Sequence, residues 1–331
     1  MANYNSKTVE IKYNRPRFYN RLLANLIDAV LFILIFFGLF LGSRAIVIST
    51  PTYQANEATI QEIKLDSGIY KKDVGGAIRD VITVLNTDDS KSARNKKNDA
   101  KAAINSFLTY CDSNCEAENA SLMRKSYDDF RLEFIYDNTP CFTLDNGEIK
   151  ETGVAGDAYY YKNVYSVFVD EYCQAYLIKY VPQYYEMTKY MSNVLIYAEI
   201  IPSYLLSGIV VYLLPTFIFR RGRKTFGKAI YRIGLVDKRV LNCTWKRSLA
   251  RFAIFYFGEL VLSLFSFGLP FIVSFSIMVF SKKKQGFPDY MLGLDEVDTS
   301  KNKIYNSMIE ITMDEITPHK KAIDFSIPIR R

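Results

Sequence analysis

Three long apolar blocks limit what this chain can become: residues 22–48, 193–219 and 252–280. Each is at or above the ~20 residues that cross a ~30 Å hydrocarbon core as helix. Inside them stand only Asp28, Arg44, Glu199 and Glu259 as charges. A hydrophobic content of 49 % and a mean hydropathy of −0.02 would pass for a soluble protein, but these averages hide the clustering. The expected class is an all-α membrane protein with a large polar insert, residues 49–192, between the first two blocks. A cleaved signal sequence does not fit, because the apolar stretch exceeds an ordinary h-region and carries Asp28.

Charge is distributed unevenly. Residues 49–192 hold 22 Asp/Glu and 16 Lys/Arg, whereas the whole chain is at +7. The basic residues crowd beside the apolar blocks. Lys7, Lys12, Arg15, Arg17 and Arg21 precede the first, and Arg220, Arg221, Arg223, Lys224 and Lys228 follow the second. Lys246, Arg247 and Arg251 precede the third, and Lys282, Lys283 and Lys284 follow it. Positive residues near span ends stay cytoplasmic. The expected location is therefore the cell membrane, multi-pass, with the N-terminus, the 220–249 loop and the 282–331 tail inside and 49–192 outside.

Both ends of the third block would then lie inside. As one helix it would be ~43 Å long, too long for one untilted span. Gly268-Leu269-Pro270 near its middle is breaker chemistry. The block therefore reads as a hairpin over 250–281, with a turn at 268–270 and a short second arm that either crosses fully or re-enters. The organisation expected is an N-terminus (1–21), a first span (22–48), the insert (49–192), a second span (193–219), a basic loop (220–249), the hairpin (250–281) and a tail (282–331). That makes four hydrophobic helical segments and an α-rich extracellular domain.

Within the insert, apolar periodicity predicts helix over 57–86, 98–110 and 121–136, and a polar loop over 88–98. Asp145-Asn146-Gly147 signals a hairpin turn. The Tyr-rich stretch 157–190 leads into the second span with a break near Pro182. Its tyrosines fit packing or interface roles better than a ligand platform. Cys111, Cys115, Cys141 and Cys173 lie in the insert and are disulfide candidates, with the pairing open; Cys243 lies in the inside loop. A zinc site at Cys111 and Cys115 is disfavoured because the insert contains no His.

Asp28 is expensive in an apolar helix, and such a residue marks function or a specific partner. Arg21, Asn25 and Asp28 fall on one helical face. Asp28 lies ~10 Å from Arg21 along the helix and Glu259 ~12 Å from Arg251, so the two carboxylates could share a level. Asp28, Glu259 and Asn25 are thus a candidate ion or proton path. Alternatively, Asp28 accepts from Arg21, Arg251 or a helix N-terminus and fixes packing. Catalytic machinery is not expected: the single histidine, His319, leaves no Ser/His or Cys/His arrangement. No metal and no cofactor are expected.

Gly222-x4-Gly227-Lys228 approaches a phosphate-binding loop but has Ala229 where Ser or Thr would hold Mg²⁺, and no strand precedes it. Nucleotide and nucleic-acid binding are not expected. The basic run is an orientation signal and an anchor for anionic lipid headgroups. Residues 233–236 and 240–244 suggest a small hairpin.

Three ordered pieces resemble the RDD family of membrane proteins. The first is Arg21 with Asp28. The second is Lys224-Thr225-x-Gly227-Lys228 followed by Ile233-Gly-Leu-Val-Asp237, with Arg251 beyond. The third is Gly286-Phe-Pro-Asp289, where Pro288 replaces the usual His. The family-motif residues are thus Arg21, Asp28, Thr225, Gly227, Lys228, Arg251 and Asp289. The resemblance covers 15–48 and 195–297 and leaves 49–192 as an insertion. It implies architecture more than activity, since transport of unidentified solutes, including cation/proton exchange, has only been proposed for the family. The expectation is a non-catalytic assembly or sensing component, partnered by the lipid bilayer and by a membrane protein or a second copy. The alternative is a transporter or ion-coupled carrier using Asp28 and Glu259.

Overall fold

The structure, a computed structural model, describes residues 13–145, 147–280 and 285–316. Lys7, Lys12, Asn146, Lys282, Lys283, Lys284, His319 and the rest of 317–331 lie outside the described residues. The chain divides into a membrane unit, Met1–Ser43 with Glu199–Arg331, and an insert unit, Arg44–Ala198.

The architecture is mostly helical. Among the described residues, three helices are long and apolar enough to cross a membrane: Phe18–Ile48, Pro182–Ile218 and Trp245–Phe265. Only 11 % of the apolar window of Phe18–Ile48 is buried within the protein. Val30, Ile33, Leu34, Phe37 and Leu41 point outward. Side chains of this kind have no place in water and suit hydrocarbon.

The expected break in the third block is present, two residues early. The helix ends at Phe265, and Phe267 and Gly268 take left-handed backbone (φ 50° and 82°). The next helix, Leu269–Phe280, has Pro270 in its first turn. Proline fits there because its missing N–H would have no helical partner anyway. At 12 residues this helix is ~18 Å long, too short to cross a ~30 Å core untilted. Among the described residues there are thus three helices of spanning length and one short apolar helix at the place of the expected short arm.

The insert unit is organised around one apolar cluster. Its largest buried side chains are Phe107, Tyr160, Tyr165 and Phe168. The tyrosines of 157–190 supply packing: Tyr160, Tyr161, Tyr165 and Tyr184 are buried, and Tyr172 stacks on Phe168 at 5.1 Å. The helix Ala93–Asn114 is capped by Ser92, whose hydroxyl accepts from Asn95 N–H. Residues 57–86 do not form continuous helix. The chain is helical over Pro51–Asp66, turns at Gly68 (φ 76°), pairs Tyr70–Lys72 with Ile78–Asp80, and resumes helix at Val81–Thr87. Gly75-Gly76 broke the pattern and Asp80 restarted it, accepting from Thr83 N–H at 2.6 Å. Phe142–Asp145 pairs with Glu148–Glu151, as the turn signal required. A helical segment ends at Tyr180, Val181 is extended, and Pro182 opens the next helix.

The disulfide expectation has no counterpart. Cys111, Cys115, Cys141, Cys173 and Cys243 are free thiols. Cys111, Cys141 and Cys173 serve as small apolar groups in the insert core, and burial pushes the Cys173 thiol well up.

One strand pairing also differs from expectation. Ile233–Val236 pairs antiparallel with Asp295–Asp298, not with 240–244. Asp237 draws the chain into a turn, accepting from Arg239 N–H at 2.9 Å and Leu241 N–H at 3.1 Å, and only the Val236–Asn242 bridge remains on that side. The strand edge is taken by a segment some sixty residues on, which brings part of the expected tail into the membrane unit.

Candidate functional site

The short helix Phe226–Ile230 presents its N-terminus to the first long helix. Asp28 is buried there. Its Oδ2 accepts from the Thr225 hydroxyl at 2.5 Å, and its Oδ1 accepts from Gly227 N–H at 2.7 Å. The resemblance to a phosphate loop has a physical basis: free N–H groups at a helix start attract an anion, and here the anion is a carboxylate. Gly227 is required at this position, because a Cβ would overlap the Ala24 carbonyl oxygen.

Beside it lies a lattice of alternating charges. Arg251 holds Asp289 with two donors, Nε to Oδ1 and a second nitrogen to Oδ2 at 3.1 Å. Lys228 Nζ lies 2.7 Å from Glu296 Oε1 and 4.0 Å from Asp289 Oδ2. Arg21 Nε lies 2.9 Å from Glu296 Oε2. Burial alone would raise the Asp289 carboxyl, but Arg251 and Lys228 hold it below the ordinary carboxylate range. Planar guanidinium suits this two-point grip on a carboxylate.

The family-motif residues Arg21, Asp28, Thr225, Gly227, Lys228, Arg251 and Asp289 therefore come together. The direct partner of Asp28 is the helix start at Thr225 and Gly227. Arg21 and Arg251 neutralise Glu296 and Asp289 instead. Glu296 is the residue sequence reasoning passed over. It sits in the acidic run Asp295-Glu-Val-Asp298, where Asp295 and Asp298 carry the same charge and nothing local distinguishes it. The strand Asp295–Asp298 buries Glu296 and Val297 side by side, so no in/out alternation singled Glu296 out.

Asp28, Glu259 and Asn25 all line one cavity of about 320 Å³, together with Lys228, Arg251, Asp289 and Glu296. Glu259 lies on a stretch of wider π-type turns, Ile254–Val261. It is buried, and its Oε1 has no hydrogen-bond partner among the described residues. Its carboxylate meets the Ser274 hydroxyl, which itself accepts from Phe287 N–H at 3.1 Å.

The basic loop is engaged within the unit as well. Arg223 donates to the Thr216 and Cys243 carbonyls, and Lys224 donates to the Thr299 hydroxyl at 2.7 Å. Burial and nearby Arg232 lower the Lys224 pKa.

No curated protein and no solved structure matches this chain. The RDD family model matches residues 167–293, less than half of the chain. The matched stretch contains Thr225, Gly227, Lys228, Arg251 and Asp289. It stops before Glu296 and does not reach the first helix, so Arg21 and Asp28 join it through the contacts described above. Over residues 167–293 this multi-pass membrane protein is similar to the RDD family.

Proposed function

We propose that this protein is a non-catalytic component of a membrane assembly or sensing system. The membrane unit anchors it, and the insert, outside the cell, recognises a partner. One observation carries the reading: Asp28, Asp289 and Glu296 are each held by donors or cations within the chain. Carboxylates committed in this way lock helices together, and a conduction path needs groups free to exchange. The orientation rests on the Lys/Arg residues beside the apolar blocks. The basic helix start at Trp245, with Trp245 exposed, suits anchoring to anionic headgroups.

Cross-linking of the full chain in cells, followed by mass spectrometry, tests the reading. A reproducible membrane-protein partner linked through lysines of 49–192 is expected. Absence of any such link, with the protein abundant and folded, would remove it.

The second reading, a solute or ion carrier, is favoured by the unpartnered Glu259 oxygen in the cavity. Reconstitution under pH and Na⁺ gradients tests it. Flux above empty liposomes that disappears in Glu259→Gln would establish carriage and displace the anchoring reading. Asp28→Asn is the poorer probe, because loss of folding is its expected consequence.

A further inference from the structure

Four carboxylates and two cations line the cavity among the described residues. Three of the carboxylates are accounted for: Asp28 by Thr225 and Gly227, Asp289 by Arg251, Glu296 by Lys228 and Arg21. Glu259 has the Ser274 hydroxyl beside it but no ion pair with Lys228 or Arg251. It is 4 % exposed, and Oε1 has no hydrogen-bond partner among the described residues. A buried carboxylate with one unsatisfied oxygen and no paired cation is costly, and the group that relieves it is a cation or a proton.

The walls indicate which. Tyr212, Phe255, Phe271 and Phe275 contribute aromatic surface, with Ala29 and Met278. A bare metal ion would need several uncommitted oxygens around it. Here the other three lining carboxylates already have partners. Aromatic rings with a single carboxylate form the chemistry that recognises an organic ammonium ion: the rings attract the cation through their faces, and the acid supplies the counter-charge. The volume, about 320 Å³, is several times that of a water molecule, so it admits a small amine. Lys228 and Arg251 do not oppose this, since each is committed to a carboxylate and the described charged lining is net negative.

We propose that this cavity binds a small organic ammonium ion, with Glu259 as counter-ion and Tyr212, Phe255, Phe271 and Phe275 as its walls. The proposal concerns binding alone and goes beyond the anchoring reading; it stands whether the bound ion is sensed, carried or structural.

The test is thermal unfolding and calorimetry of the full-length protein in detergent. The probes are tetramethylammonium chloride, butylammonium chloride, tert-butanol as a neutral body of similar size, and NaCl at matched ionic strength. Expected is a saturable rise in melting temperature with at least one ammonium salt and none with tert-butanol or NaCl. Glu259→Gln should weaken that response by about tenfold or more while remaining folded, and Phe271→Leu should weaken it without removing a charge. An equal rise with tert-butanol would reduce the site to an apolar cavity and overturn the proposal. So would an equal rise with NaCl, no rise with either ammonium, or a Glu259→Gln protein that responds like the unaltered one. If Glu259→Gln does not fold, Phe271→Leu decides: an unchanged ammonium response overturns the proposal. Failure here would leave the cross-linking result untouched.

Discussion

The insert unit and the membrane unit are held together by different physics. In the insert, Phe107, Tyr160, Tyr165 and Phe168 sit in one continuous apolar cluster, and burial of that surface is the organising force. Its main polar knot is peripheral: Lys97 reaches Glu151 at 2.6 Å and Asp157 at 2.7 Å, and the Tyr165 hydroxyl donates to Glu151 at 2.5 Å. In the membrane unit the buried apolar clusters are small, such as Leu235 with Cys243 and Leu294. Segments far apart in sequence are instead joined by charge, through Asp28 to Thr225, Arg251 to Asp289, and Lys228 and Arg21 to Glu296. Hydrocarbon removes the hydrophobic drive between helices, so specific packing and polar contacts must choose the arrangement. An apolar core tolerates rearrangement of like for like. A charge lattice does not, because each member lost strands another.

The sharpest way to break this contrast is Gly227→Ala. One methyl group meets backbone at Ala24 with no flexible side chain to move aside. We expect loss of folded protein, about 4 kcal/mol or more, seen as absent monodisperse material in detergent. Asp289→Asn comes next. It leaves Arg251 and Lys228 without their shared counter-charge and should destabilise by about 3–5 kcal/mol in thermal unfolding. If Asp289→Asn unfolds no earlier than the unaltered protein, the lattice is not what holds the membrane unit.

Phe168→Ala tests the other side. Its cavity should cost about 3–4 kcal/mol, with hydrogen exchange raised within 44–198 and little altered at Asp289 and Glu296. Acid should strain both units. Burial raises the Glu151 carboxyl, but Lys97 and Tyr165 bring it below its ordinary value, and Asp289 is lowered as described. A depressed carboxylate contributes stability that is full above its unfolded pKa and is lost as pH falls through the folded one. Melting temperature should therefore hold between neutrality and about pH 5 and decline below about pH 4. Glu151→Gln should flatten that decline for the insert only. The smallest effect is expected from Asp80→Ala, which removes the cap on Thr83 N–H and should cost about 1 kcal/mol.

Much of the fold was legible in the sequence, and the reason differs from element to element. The long helices follow from run length, because hydrocarbon demands a minimum number of apolar residues. The break at 266–268 and the restart at Pro182 follow from glycine and proline acting on their own backbone. The hairpin at 142–151 follows from its turn residues. The helix expected over 57–86 failed because periodicity was carried across Gly75-Gly76, where backbone freedom outweighs side-chain pattern. The disulfide expectation failed because four cysteines in one domain do not reveal whether they face one another or simply fill a core.

At the site, the sequence marked the participants and left their partners undetermined. Asp28 stood out because a carboxylate in an apolar helix violates composition, and Thr225, Gly227, Lys228, Arg251 and Asp289 stood out by family resemblance. Their pairing was decided only in three dimensions. Arg21 shares a face of the same helix with Asp28, yet it pairs with Glu296, more than 270 residues distant. The choice depends on strand Ile233–Val236 accepting Asp295–Asp298 along its edge, which places Glu296 between Arg21 and Lys228. Local chemistry determined which segments are helix, which enter the membrane and which residues would need a partner once buried. Electrostatic neutrality among buried groups could be met by several combinations of the same charges, and only the packed chain selected one.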